Sequence, residues 1–399
     1  MPWPVRMTMT ISLAVLPVYI YVGWRFGAVI IKQFDLSTWI VRPVVFVLIL
    51  WAYSLPIYYY LTPPANHFTE SMHIGWMDYV ILLPFWYGLI IIVESFPYFL
   101  LLDLISIVLK LFKKDDYNVW TNRLNFLRIG VLVLFLIYVP VRSQIDTNSV
   151  QLNTKNISVT GLPDALDGLQ LSLIADVQVD RYTQIDKLKQ MQNLLDASGS
   201  EMLFFAGDIV TSGEKYIQQA VDALCGPGPF KEKFACMGDH DFWSDENAIM
   251  NGLKECKWNF LDNQHKLIEY KGKKILVTGI THIYSRRISQ NELNAILSKA
   301  PEADYKILLV HQPAEFVIHS AARAGYQLLL AGHTHGGQIV FHPFGFNLTA
   351  SQRETQYYSG YYRVDRMDVI VTNGIGLTLA PIRYRSHSEV FTIRLTRAQ

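Results

Sequence analysis

Cysteine is scarce in this chain, three residues in 399, and Cys225, Cys236 and Cys256 show no Cys-x-x-Cys spacing. A zinc knuckle is thereby excluded. The odd count leaves at least one thiol unpaired, and Cys236 falls inside an apolar run. Each cysteine is expected to be a buried small hydrophobe, with a bridge between Cys225 and Cys256 as the alternative should the domain lie in an oxidising compartment. Charge is scarce too: Asp, Glu, Lys and Arg make up 17% of the chain and the formal net charge is +1. With no basic tail or patch, and with aromatic residues mostly inside apolar runs, nucleic acid is not an expected partner. Also missing is a small-residue cleavage site after the first apolar run, which argues against a secretory signal.

The charged residues are missing chiefly from the first 145 positions, where long apolar runs stand instead. The first extends from Met7 through Gly23 to Ile31, interrupted by Arg25. Trp39 to Leu61 is the second, with Arg42 near its start and Tyr58, Tyr59 and Tyr60 suited to an interfacial level. Asp78 to Phe112 is too long for one simple crossing, and reads either as one span with a helical extension or as a hairpin broken near Glu94-Ser-Phe-Pro97. Leu127 to Val141 is the last and shortest. The expectation is a helical membrane domain of four spans over residues 1–145, making this an integral, multi-pass membrane protein whose partner is the lipid bilayer.

Lysine and arginine set the orientation. Arg25 and Lys32 fall at the first connection; Thr62 to Trp76 holds no Lys or Arg; Lys113, Lys114, Arg123 and Arg128 fall around the third. Four spans then place the first and third connections in the cytoplasm and residues 146–399 outside it. A fifth crossing hidden in the third run would reverse this. Glu94 and Asp103 at membrane depth invite a functional reading, against which stands simple interhelical pairing.

After residue 145 the composition becomes that of a soluble domain, and apolar runs alternate with helical patterns. Five of those runs end at Asp, His or an amide, side chains able to ligate a metal. Leu171–Ala175 leads to Asp176-Val-Gln178, Met202–Ala206 to Gly207-Asp208, Phe234–Met237 to Gly238-Asp239-His240-Asp241, Lys306–Val310 to His311, and Leu328–Ala331 to Gly332-His-Thr-His-Gly-Gly-Gln338. Open α/β sheets bind their ligands beyond the carboxyl ends of the strands. A lone histidine such as His282 or His319 is more often a surface or core residue than a ligand. It is the series that carries the signal.

The order and spacing of these motifs resemble the calcineurin-like metallophosphoesterase superfamily, whose pattern is Asp-x-His, Gly-Asp, Gly-Asn-His-Asp, His and Gly-His-x-His, and the ending Gly-His-Thr-His-Gly-Gly-Gln resembles that of its transmembrane members. The likeness spans residues 150–396 and reaches Gly374-Ile-Gly376, Pro381-Ile-Arg383 and Glu389. It implies an α/β domain built as a four-layer α/β/β/α sandwich over residues 146–399. It also implies two divalent cations, Mn²⁺ first with Zn²⁺, Fe and Mg²⁺ as alternatives. Asp176 and His335 would hold the first and Asp208 would bridge both, while His311, His333 and Asp239 would hold the second. His240 would serve as general acid toward the leaving-group oxygen, oriented by Asp241. Two cations about 3.5–4 Å apart clamp a phosphoryl group and make hydroxide available at neutral pH.

Two positions depart from the pattern. Gln178 stands where the family has a histidine ligand, putting an amide oxygen into the first site and biasing it toward harder ions such as Mn²⁺ or Mg²⁺. Asp239 stands where the family has asparagine and adds a negative charge to the second. Arg383 reads either as a phosphate contact or as a structural ion pair. The aromatic segment Tyr357 to Tyr362 reads either as a lipid edge or as a packed strand. The expected function is a membrane-anchored, metal-dependent hydrolase of phosphate mono- or diesters, acting on a phosphorylated, lipid-linked or envelope-associated substrate. The rival is an inactive metallophosphoesterase-like scaffold or sensor. A transporter is disfavoured by the few spans and their sparse polar chemistry.

Overall fold

Proline governs the shape of the apolar half. In the computed structural model, which describes residues 3–62, 74–112 and 116–398, the first helix α1 (Trp3–Phe34) is followed by α2 (Thr38–Ala52) and α3 (Ser54–Leu61). The last two are bent by 58° at Tyr53. Pro56 explains the bend: it offers no N–H to the carbonyl of Ala52, four residues earlier, and its ring collides with that carbonyl. A π-helical turn, Asp78–Leu82, runs directly into α4 (Leu83–Phe112), and α5 (Tyr117–Asn148) follows. The expected alternative of a hairpin broken near Glu94-Ser-Phe-Pro97 is corrected here, because α4 continues through Pro97 without a break. Among the described residues three helices are long and apolar enough to cross a membrane, or four if the bent pair counts as one span. Lys113, Lys114 and residues 63–73 of the second connection, which entered the orientation argument, lie outside the described residues.

The chain divides into two compact units, one comprising Met1–Gln144 with Phe341–Leu348 and Leu379–Pro381, the other comprising the remainder. Within the first, Asp103 ties three helices together. It accepts from the Tyr21 hydroxyl at 2.8 Å, from Arg128 at 2.7 Å and from the guanidinium of Arg25. Interhelical pairing is thus the role of Asp103, as a charge at that depth requires.

The second unit is built from short buried strands and longer connecting helices. In order they are β1 (Val150–Val159), β2 (Gln170–Ile174), α6 (Ile185–Ala197), β3 (Met202–Phe205), α7 (Ile217–Cys225), β4 (Glu232–Ala235), α8 (Asp239–Trp243), α9 (Glu246–Glu255), β5 (Asn259–Phe260), β6 (Gln264–Tyr270) and β7 (Lys273–Ile280). There follow α10 (Gln290–Ser298), β8 (Tyr305–Val310), α11 (Glu315–Arg323), β9 (Leu328–Ala331), β10 (Gly360–Val364), β11 (Met367–Val371) and β12 (Ser388–Arg397). One six-stranded sheet has the order β1-β12-β2-β3-β4-β5, the other β10-β11-β9-β8-β7-β6. The strands that end at the expected site residues run parallel, β2 with β3 and β3 with β4 in the first sheet, β8 with β9 in the second.

Three apolar clusters follow from this arrangement. Leu171, Phe204 and Phe234 of the first sheet meet Ile275, Ile307 and Leu328 of the second in one core between the sheets. Leu188, Leu224 and Leu253 bury α6, α7 and α9 on the outer face of the first sheet. Leu293, Leu297 and Ile318 do the same for α10 and α11 on the second. The domain is a four-layer α/β/β/α sandwich. Strands buried on both faces read as continuous apolar runs, which is why they are visible in the sequence. Tyr357 is buried against Tyr362 with ring centroids 5.1 Å apart, so this aromatic segment is a packed strand margin.

Cys225 and Cys256, at the ends of α7 and α9, form a disulfide with a Cα–Cα distance of 5.5 Å, and Cys236 is the buried free thiol. The expectation of burial as separate small hydrophobes is thus corrected for Cys225 and Cys256 and holds for Cys236.

Candidate active site

The five strand ends converge. Asp176, Asp208 and His311, all buried, bring ligand atoms within 4.8 Å of one another, and Asp239, His311 and His333 form a second such group. His311 Nε2 lies 3.3 Å from Asp208 and 3.5 Å from Asp239; His333 Nδ1 lies 3.2 Å from Asp239 and 3.2 Å from His311 Nε2. His335 Nε2 is 3.6 Å from Asp176 Oδ1. Gln178 joins the set through Nε2, which donates to Asp208 at 3.2 Å. The two groups share His311, whereas the family resemblance implies sharing through Asp208.

The backbone bends sharply to do this. Asp176, Gln178, Asp208, His333 and His335 all have φ between 44° and 73°, the left-handed region that L residues avoid. Close approach of the loops depends on glycine: a Cβ on Gly238 would lie 2.1 Å from Asp208 Oδ1, and one on Gly207 would lie 2.6 Å from the Gly238 nitrogen.

Three buried polar atoms at the first expected site have no hydrogen-bond partner: Asp176 Oδ1, Gln178 Oε1 and His335 Nδ1. Buried polar groups are almost always satisfied. A carboxylate oxygen, an amide oxygen and an imidazole left orphaned together fit a hard divalent cation. At the second expected site the ring nitrogens turned away from the shared space are occupied. His311 Nδ1 donates to the Ala206 carbonyl at 2.6 Å, which leaves Nε2 as the donor atom for a cation.

Electrostatics in the site are tightly bound together. Burial pushes the Asp239 carboxyl up, but His311 and His333 outweigh it and hold the group well below the usual range. Asp208 is likewise held down against burial by His311 and His240. Asp176, fully buried beside Asp208, is raised. Despite burial, Asp239 and Glu354 raise His333 to about 9. Burial and then the Arg383 charge keep His335 neutral.

Asp239 is well provided for as a carboxylate. Its Oδ1 accepts the Tyr284 backbone N–H at 2.6 Å and its Oδ2 accepts from Gln312 Nε2 at 2.7 Å. Both donors favour the ionised form.

Asp241 does not orient His240, and that expectation is corrected. Both its oxygens are taken by backbone N–H groups, of Asp208 at 2.8 Å, Ile209 at 2.7 Å and Gly238 at 3.0 Å. It thereby staples together the loops that present Asp208 and Asp239. His240 is oriented instead by the Thr211 carbonyl, 2.5 Å from its Nδ1, and its backbone N–H donates to Asp208 at 2.8 Å. Arg383 is fully buried and donates to the carbonyls of Gly376, His335 and Asn373, which fixes the loop carrying His335. Its role is structural, and the phosphate-contact reading falls.

Sequence reasoning missed four residues of the site: Thr211, Tyr284, Gln312 and Glu354. Gln312 could have been found from its place directly after His311. Tyr284 and Glu354 come from loops with no spacing signal. The Tyr284 hydroxyl donates to Glu354 at 2.5 Å, and Glu354 lies 3.2 Å from His333 Nε2.

Residues 170–337 match the model of the calcineurin-like phosphoesterase family. An uncharacterized metallophosphoesterase of Campylobacter jejuni is 24% identical over 300 residues, 73% of this chain and 76% of that protein. YkuE, an uncharacterized metallophosphoesterase of Bacillus subtilis, is 25% identical over 259 residues, 63% of this chain and 88% of that protein. A transmembrane protein with metallophosphoesterase domain from Danio rerio is 26% identical over 255 residues, 61% of this chain and 56% of that protein. Residues 170–337 thus form a calcineurin-like phosphoesterase domain, similar to those of these metallophosphoesterases.

Proposed function

We propose that this protein is an integral-membrane, multi-pass, metal-dependent phosphoric ester hydrolase acting on a phosphorylated lipid or lipid-linked envelope component. The observation that carries the reading is the convergence of five strand ends on two groups of potential ligand atoms, with three orphaned buried atoms beside them. Asp176, Gln178, Asp208 and His335 would hold one divalent cation; Asp208, Asp239, His311 and His333 would hold the other. Bound there, the cations supply Lewis acidity toward the phosphoryl oxygens and a hydroxide at neutral pH. The donors are mostly oxygen, with Gln178 in place of an imidazole, which favours Mn²⁺ or Mg²⁺. His240 keeps Nδ1 on the Thr211 carbonyl, so Nε2 is the nitrogen available to protonate the leaving-group oxygen.

Placement of the catalytic unit outside the cytoplasm is supported by the distribution of Lys and Arg and by the Cys225–Cys256 bridge, which persists in oxidising compartments. Tethering a hydrolase to a bilayer raises the effective concentration of a membrane-resident substrate.

The test is hydrolysis of bis-p-nitrophenyl phosphate and p-nitrophenyl phosphate by the detergent-purified full chain with Mn²⁺, Mg²⁺, Zn²⁺ or chelator, beside His240→Ala and Asp208→Ala. Turnover that requires metal and is lost in both variants is expected, and the preferred ester separates diester from monoester chemistry. A second reading rests on Gln178, whose hydrogen bond to Asp208 occupies a lone pair that a cation would need. Absence of both turnover and bound metal would favour that reading, a metal-free scaffold or sensor, and overturn the first.

A further inference from the structure

Between the loop of His333 and His335 and the loop of Glu354, the chain makes an excursion that the site does not use. Residues Phe341–Leu348 leave the sandwich and belong to the same compact unit as the apolar helices. Phe341 and Leu348 close the base as an antiparallel bridge, each N–H donating to the other's carbonyl at 2.9 Å. The tip is Pro343-Phe344-Gly345-Phe346, and Phe344, Phe346 and Leu348 are all more than half exposed. Three large apolar side chains on one eight-residue excursion from an otherwise well-buried sandwich call for a partner.

The hairpin's contacts within its unit indicate what that partner is. The Phe344 ring packs on Tyr98 of α4 with centroids 5.6 Å apart, and Tyr98 packs on Phe135 of α5 at 5.7 Å. Phe135 lies in the middle of the apolar run Leu127–Val141, seven residues before Arg142. At 1.5 Å per residue this is roughly 10 Å along the helix from that charge, within the hydrocarbon layer of a spanning α5.

Backbone at such a depth must have its polar groups satisfied. Of the hairpin's seven N–H groups, four, those of Phe341, His342, Phe346 and Leu348, donate within the protein, and Pro343 has no N–H. The acceptor for His342 is the carboxylate of Glu94, at 3.4 Å, a buried acid in the middle of α4. A carboxylate at that level is costly unless it serves something. Here it receives the backbone of the hairpin.

We propose that Phe341–Leu348 is a membrane-inserted hairpin, with Phe344, Phe346 and Leu348 lying among lipid acyl chains and Glu94 capping its backbone. In sequence the hairpin lies between the segments carrying His335 and Glu354. This inference rests on the reading of the helices as membrane spans. It adds to the proposed activity an interaction surface for lipid that favours substrates embedded in the membrane.

The cysteine arrangement makes a direct test practical, because Cys225 and Cys256 are bridged and Cys236 is buried. A single added thiol in the full-length chain, Phe346→Cys, is labelled with an environment-sensitive fluorophore and reconstituted into phosphatidylcholine vesicles containing 12-doxyl acyl chains. Leu104→Cys on the exposed face of α4 is the lipid-facing control, and Lys266→Cys on the exposed side of β6 is the aqueous one. Quenching of the 346 label comparable with that at 104, and absent at 266, is expected. A 346 label quenched by iodide but not by doxyl lipid would overturn the proposal, and so would a label shielded from both, which would mean that protein covers the hairpin.

The functional arm uses Phe344→Ser/Phe346→Ser. Its kcat/KM on phosphatidic acid in vesicles should fall by at least about tenfold, with hydrolysis of soluble bis-p-nitrophenyl phosphate unchanged. Equal loss on both substrates would point to a structural role and overturn the lipid assignment. If the wild-type chain hydrolyses neither ester, the proposed function fails, while the quenching experiment still decides the hairpin.

Discussion

Glu354 lies 3.2 Å from Nε2 of His333, while Nδ1 of the same ring lies 3.2 Å from Asp239. The two carboxylates fix which ring nitrogen faces the shared space. Removing the outer one frees the ring to rotate and lowers its basicity. Partners of this kind contribute about 10–100-fold to metal affinity or activity. Glu354→Ala should therefore weaken Mn²⁺ binding, measured by isothermal titration, by at least about tenfold. Glu354→Gln, which keeps an acceptor oxygen, should recover part of the loss. Because Glu354 is 40% exposed, its removal should leave thermal stability nearly unchanged, and a large drop in Tm would instead mark it as a structural residue.

The same histidine sets a pH dependence. His333 is raised from its ordinary value near 6.5 to about 9, which means that the fold favours its protonated form. A group raised on folding contributes stability fully present below its unfolded pKa and lost as pH rises through the folded one. Chelator-treated protein should accordingly lose Tm between pH 6.5 and 9. Metal binding requires the ring to give up that proton, so the rise in Tm on adding Mn²⁺ should grow over the same interval. His333→Asn should flatten both trends. A Tm of the chelated wild type that does not fall over this range would contradict the assignment.

The candidate ligands were legible because each closes an apolar run, and a strand buried on both faces announces itself whatever surrounds it. Helix α8 was not legible: Asp239–Trp243 is five residues long, too short for a helical period to register. Nor was the role of Asp241. Its neighbour in sequence is His240, but its oxygens meet the N–H groups of Asp208 and Ile209, more than thirty residues away in the chain. Tyr284 and Glu354 reach the site through loop paths, and loop paths leave no periodic trace. In the apolar half, run lengths indicated how many helices to expect, while the bend before Pro56 and the continuity through Pro97 depended on local backbone geometry.

Gln178 offers a test of metal preference. Its Oε1 is buried and unpartnered, and it sits where an imidazole completes the pattern of the family. Gln178→His should restore a nitrogen donor at the first site and shift the bound metal toward Zn²⁺, since imidazole suits Zn²⁺ better than an amide oxygen does. Elemental analysis after refilling from an equimolar Mn²⁺/Zn²⁺ mixture reads this directly. A metal ratio unchanged from wild type would show that Gln178 is not a ligand and serves only to donate to Asp208.

The disulfide carries a prediction about stability and one about location. Cys225 and Cys256 are 31 residues apart, and closing a loop of that size restricts the unfolded chain by about 3–4 kcal/mol in the chain-entropy account. Cys225→Ser should lower stability by an amount of that order, read by denaturant unfolding of the purified chain. It should leave the metal site alone, because the bridge joins the ends of α7 and α9 and contributes none of the ligand atoms. Protein isolated from cells with thiols blocked at lysis should resist alkylation at both positions unless reduced first. Full alkylation without reductant would mean that the pair is held as thiols in a reducing compartment. The orientation drawn from Arg25, Lys32 and the third connection would then have to be reversed along with it.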